Sequence, residues 1–80
     1  MMHFSYDPRY NIAYIRFRSS SKDVESIRIS DEIVLDLTPD GKIYGIELLN
    51  ANEQLELDNT GKVRFCNSAT GKELELSLNA

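Results

Sequence analysis

The stretch Ile33–Ala51, IVLDLTPDGKIYGIELLNA, constrains this chain more than any other. Two runs rich in branched apolar residues, Ile33 to Leu37 and Ile43 to Leu49, flank Thr38-Pro39-Asp40-Gly41. Apolar run, turn, apolar run is the pattern of a β-hairpin. Pro39 presets φ near −65° for a type I turn, and Gly41 tolerates the positive φ needed to re-enter a strand. Two registers are open. With Pro39, Asp40 and Gly41 alone as the loop, Leu35 faces Gly45 and Ile33 faces Glu47. With Thr38 in the loop, Leu35 faces Tyr44 and Ile33 faces Ile46. A slip of one residue moves every side chain to the other face. The four-residue loop is the expectation, because it gathers Ile33, Leu35, Tyr44, Ile46 and Leu48 on one face. It leaves Asp36 and Glu47 on the other, beside Val34 and Ile43.

The rest of the chain reads as strands added around this hairpin. His3 to Tyr6 is a short strand broken by Asp7-Pro8. Ile12 to Arg18 alternates Ala13, Ile15 and Phe17 against Ile12, Tyr14, Arg16 and Arg18. A polar loop, Ser19 to Asp23, leads to a strand at Val24 to Ile29, with Ile27 and Ile29 on one face. Asn50 to Leu57 reads as a turn followed by a strand at Gln54 to Leu57, with one helical turn as the other reading. Lys62 to Cys66 and Lys72 to Asn79 form a C-terminal hairpin about the turn Asn67–Gly71. Its second strand sets Leu74, Leu76 and Leu78 against Glu73, Glu75 and Ser77, the signature of a half-exposed antiparallel strand. Short strands with frequent turns predict an all-β fold: a small antiparallel meander, curled or two-layered, built on the central hairpin. Eighty residues correspond to a single domain over 1–80, with the hairpin 62–79 as an extension.

Composition excludes some function classes. The net charge of −4 argues against a nucleic-acid ligand. That charge is uneven: residues 1–30 hold five Lys/Arg and three Asp/Glu, whereas residues 31–80 hold four and ten. Cys66 is the only cysteine, so no intramolecular disulfide can form, and it reads as a half-buried strand residue. No run approaches membrane-spanning or signal-peptide length, so no membrane partner is expected and the cytoplasm is the default compartment. One histidine, His3, lies far in sequence from Cys66, so no metal or cofactor is expected.

The segments YDPRYNIAYIRF and IVLDLTPDGKIYGIELLNA, and their spacing, resemble a small prokaryotic family catalogued as domain of unknown function twenty-two eighty-three. The resemblance runs from about Tyr6 to Ala51. This chain has Asn11 where the family pattern usually has Asp, which weakens any carboxylate role there. Members sometimes stand beside small toxin-like proteins, so the resemblance implies an antitoxin-like or partner-binding role.

Two groups of residues are candidates for function. Asp36 and Glu47 share a face on adjacent strands, and a carboxylate pair can perform acid–base chemistry when its environment separates the two pKa values. A small hydrolase-like enzyme is therefore the alternative function, while cross-strand pairing of these carboxylates with Arg16 or Arg18 is the structural reading. Tyr6, Tyr10, Tyr14, Arg16 and Arg18 form the second group, aromatic and guanidinium residues of the kind enriched at binding hot spots. Their structural reading is a Tyr6–Tyr14 cross-strand pair. Apolar residues on both faces of several strands, in a chain too short for a large core, predict a homodimer. Its expected interface is Ile12, Tyr14 and Val34, with Arg16 and Arg18 beside them. The function expected overall is a non-enzymatic protein-interaction module, regulatory or antitoxin-like.

Overall fold

The computed structural model describes residues 1–19, 23–55 and 61–77. Five strands form one antiparallel sheet: β1 (His3–Asp7), β2 (Ile12–Arg16), β3 (Glu25–Ser30), β4 (Ile33–Leu37) and β5 (Ile43–Leu49). Their spatial order is β1-β2-β5-β4-β3. A helical turn, α1 (Ala51–Gln54), follows β5, and β6 (Lys62–Asn67) pairs with β7 (Lys72–Ser77) as a separate hairpin. The fold is all-β, as the alternation predicts, and neither sheet closes into a barrel.

The strand order is not that of one continuous meander. A β1–β2 hairpin and a β3–β4–β5 meander join through the antiparallel β2–β5 pairing, which puts β5 at the centre. Some expected boundaries move. β2 stops at Arg16 rather than Arg18, and Gln54 belongs to α1 rather than to a strand. The expected strand continues through Glu56 and Leu57, and the expected β7 stripe through Leu78 and Asn79. Those four positions, and Ser20 to Lys22 of the polar loop, lie outside the described residues.

The central hairpin settles its register in a way that matches neither alternative. Gly41 N donates to Thr38 O at 2.9 Å, and Thr38 N donates to Lys42 O at 2.9 Å, so Pro39, Asp40 and Gly41 alone form the loop. Gly41 takes φ 82°, the left-handed position that lets a type I turn re-enter a strand with the right twist. Leu37 then pairs with Ile43, but Asp36 pairs with Gly45, Leu35 with Ile46 and Ile33 with Leu48. The shift leaves Tyr44 as the extra residue of a β-bulge. The expected Leu35–Tyr44 and Ile33–Ile46 pairs are therefore wrong. The physical reason is that the short loop on its own would set Ile33 against Glu47, and one bulge restores apolar-to-apolar pairing beyond it.

That correction builds a continuous apolar row across the whole sheet, Phe4–Ile15–Ile46–Leu35–Ile27, each paired with the next. A second row runs Tyr6–Ala13–Leu48–Ile33. Cross-strand pairs of this kind each contribute about 0.2–1 kcal/mol. The opposite face carries Ile12, Tyr14, Arg16, Val34, Asp36, Glu47 and Leu49. Tyr6 and Tyr14 thus stand on opposite faces, because Tyr6 pairs with Ala13 and Tyr14 with Ser5. The expected Tyr6–Tyr14 contact is absent for that reason.

Two loops are built alike. In β1–β2, Asp7 Oδ1 accepts from Arg9 N at 2.9 Å, and Asn11 closes the loop at φ 57°. In β6–β7, Asn67 Oδ1 accepts from Ala69 N at 3.0 Å, and Gly71 closes the loop at φ 75°. A short polar side chain folds the backbone back at the start, and a left-handed residue ends each turn. The β6–β7 hairpin presents Val63, Phe65, Leu74 and Leu76 on one face, through the pairs Val63–Leu76 and Phe65–Leu74. Between the hairpin and the β1–β2 end of the sheet lies an apolar groove of about 730 Å³, lined in part by Phe4, Ile15, Phe17, Leu55 and Phe65. Among the described residues, the fully buried apolar side chains are the alanines Ala13 and Ala51, and no large side chain is fully enclosed.

Candidate functional site

The best-built polar cluster lies on the sheet face opposite the apolar rows. Tyr14 stands on β2, and its ring crosses the central strand directly over Gly45. Its hydroxyl donates to Asp36 Oδ2 on β4 at 2.7 Å. Ser26 on β3 donates from Oγ to the other oxygen, Asp36 Oδ1, at 2.6 Å. One carboxylate therefore ties β2, β4 and β3 together over the top of β5. Gly45 makes this passage: an added Cβ would stand 2.6 Å from Tyr14 Cζ and 2.9 Å from the Ile15 carbonyl oxygen. A glycine inside an otherwise branched strand is the local signal of such a close approach.

Burial, the hydrogen bond to Asp36 and the neighbouring negative charge hold the Tyr14 phenol protonated well above the ordinary tyrosine range. Glu47 pairs across the ladder with Tyr14 on one side and Val34 on the other, so the two expected carboxylates do share a face. They do not pair with arginine. Among the described residues, no ion pair joins Asp36 or Glu47 to Arg16 or Arg18, because the Tyr14 and Ser26 hydroxyls take Asp36 instead. Arg16 pairs with Gly45 and His3 across the ladder, and its Nε is buried without a hydrogen-bond partner. Arg18 lies beyond the end of β2 and is exposed. Tyr10 sits in the β1–β2 loop, 71% exposed, with the Arg9 guanidinium 5.7 Å above its ring centre. Ile12 and Val34 lie half-buried on the Tyr14 face.

A second polar cluster closes the end of the sheet, and the sequence reading missed it. Asn11 Oδ1 accepts from Asn52 N at 2.8 Å, and Asn11 Nδ2 donates to Asn50 Oδ1 at 3.0 Å and to the Asn52 side chain. Asn50 is itself left-handed, at φ 52°, and its Nδ2 donates to Glu53 at 2.9 Å. Gln54 Nε2 donates to Glu32 O at 2.9 Å and Leu49 O at 2.6 Å. These amides pin α1 across the strand ends, a structural task for which asparagine suffices.

Cys66 is exposed on the polar face of β6, opposite Glu73, rather than half-buried. The cause is the hairpin itself, whose outer face no described residue covers. Arg64 shares that face and pairs with Glu75 at 3.7 Å, as does Lys62 at 3.2 Å. Among the described residues, no group of three His, Cys, Asp or Glu side chains is placed to hold a metal ion. No helix among them is long and apolar enough to cross a membrane.

An open antiparallel sheet cross-tied by a tyrosine–aspartate–serine link, with a separate two-stranded hairpin, defines a small all-β domain. The chain belongs to the family described as a protein of unknown function, DUF2283, which matches residues 3–52. That span holds Asn11, Tyr14, Ser26, Asp36 and Gly45 and stops short of the β6–β7 hairpin. No curated protein and no solved structure matches the chain.

Proposed function

We propose that this chain is a non-enzymatic protein-interaction module. One observation carries the reading. On the apolar face of the β6–β7 hairpin, Phe65, Leu74 and Leu76 are 48%, 57% and 50% exposed and lie side by side. A contiguous apolar surface rimmed by charged residues is the usual mark of a protein contact. Lys72 stands on that face of β7 beside Leu74, and Lys62 and Arg64 help to line the adjoining groove. A regulatory or antitoxin-like role is the form that the family resemblance implies, and it needs no catalytic group. The carboxylates give the hydrolase reading no comparable support. Both oxygens of Asp36 already accept hydrogen bonds, and the groove lining includes neither Asp36 nor Glu47.

Site-specific photo-crosslinking in cells expressing the chain tests the reading. A benzophenone side chain at Leu74 is expected to give protein-sized adducts, and the same group at Glu73, on the opposite face, is not. Equal labelling at both positions, or none at Leu74, would overturn it.

A further inference from the structure

We infer that the partner of the hairpin face is a second copy of this chain, docked so that each copy covers the other's exposed apolar surface. The inference rests on the interaction-module reading and names its partner. It starts from how incomplete one copy is. A compact monomer of 9.1 kDa exposes about 4,900 Å² by the usual scaling of surface with mass, whereas this chain exposes 6246 Å². Its radius of gyration is 14.1 Å, against about 11.6 Å for a compact chain of this length. The shape is a slab of 35 × 34 × 19 Å.

The surplus surface is the right size for a protein and too large for a small ligand. It amounts to about 1,300 Å² per copy, within the range of roughly 1,000–2,500 Å² that each partner buries in an obligate homodimer. A drug-sized molecule could enter a groove of 730 Å³. It would leave Leu74, which lies outside the groove lining, uncovered, along with Ile27 and Ile43 on the sheet, 38% and 44% exposed.

Two features favour a second copy over a different protein. With no large side chain fully enclosed among the described residues, the fold needs its cover whenever it is folded, and its own copy is always present in equal amount. The charges also suit reciprocal docking. Residues 61–77 hold three Lys/Arg and two Asp/Glu, whereas residues 31–55 hold one and six. Lys72 shares the Leu74 and Leu76 face of β7 while Glu73 and Glu75 stand on the other, so a two-fold pairing sets a mildly basic hairpin face towards the acidic 31–55 segment of the other copy. The half-buried Ile12, Tyr14 and Val34 are less suited to this contact than the hairpin face, since Tyr14 is already tied to Asp36.

Sedimentation of the full chain at micromolar concentration tests the inference, together with thermal melts over a hundredfold dilution. Twice the 9.1 kDa chain mass is expected, with a Tm that falls on dilution because association stabilises the fold by mass action. Leu74→Asp is expected to sediment as a monomer and to melt lower, while Cys66→Ser on the opposite face keeps the dimer. Should Leu74→Asp fail to fold, the wild-type dilution series decides alone. A 9.1 kDa wild-type species with a dilution-independent Tm overturns the second copy. If the Leu74 crosslinker then captures a different protein, the interaction-module reading stands and only self-pairing falls; if it captures nothing, both fall.

Discussion

The ring of Tyr14 occupies the space that a side chain at Gly45 would need. Tyr14 reaches Asp36 from two strands away only because the strand between them carries no Cβ at that point. The two residues are one device, and they should behave as one under mutation. Gly45→Ala is expected to destabilise by about 1–3 kcal/mol, the usual cost of overpacking a tight contact. In a Tyr14→Ser background the same change should cost clearly less, although the Ile15 carbonyl contact remains. A double-mutant cycle by denaturant melts measures the coupling, and strict additivity would refute the arrangement.

The phenol of Tyr14 makes a pH prediction. Its folded-state pKa is raised above the ordinary value of 10.0 by burial first and by the Asp36 hydrogen bond second. Above that ordinary value the unfolded chain releases the proton and the folded chain keeps it. The stabilisation is therefore complete below about pH 10 and is lost as the pH climbs above it. In an ultraviolet absorbance titration Tyr14 should ionise late, above the ordinary tyrosine range. Tyr14→Phe should remove that late phase and, by deleting a hydrogen bond to a carboxylate, cost about 1.5–3 kcal/mol at neutral pH. A titration curve with no late phase that Tyr14→Phe removes would contradict it.

Gly41 tests the turn. A Cβ there would meet nothing within 4 Å, so any penalty comes from the backbone angle alone. Gly41→Val should cost about 1–2 kcal/mol or more, since a branched residue resists positive φ. For a domain of this size that lowers Tm by about 4–8 °C per kcal/mol. Gly41→Asn should restore much of the loss, because asparagine tolerates the left-handed region. Equal melting of the valine and asparagine variants would sink the assignment.

Asn11 carries two separable tasks, a left-handed backbone and the amide bonds that hold α1. Asn11→Gly keeps the first and loses the second, whereas Asn11→Ala loses both. Alanine is expected to be worse than glycine by about 1 kcal/mol. Hydrogen exchange should show faster exchange at Asn52 N–H in both variants. Unchanged protection there would mean that the cap does not hold the helix.

Strand content, turn positions and the two-faced character of each strand are legible in the sequence because they are local. Alternation over five or six residues defines a strand, and Asp7-Pro8, Pro39–Gly41 and Asn67–Gly71 mark turns through the φ preferences of single residues. Tertiary structure alone decides the order β1-β2-β5-β4-β3, the bulge at Tyr44, the passage of Tyr14 over Gly45 and the clasp of Asn11 on Asn52. Apart from the bulge, which lies within one hairpin, these join residues distant along the chain, 22 positions apart for Tyr14 and Asp36 and 41 for Asn11 and Asn52. No local pattern encodes which distant partner a hydroxyl or amide will meet. That depends on which strands pair, and pairing follows from burying the rows from Phe4 to Ile27 together, a sum over the whole sheet of contributions that are each only about 0.2–1 kcal/mol.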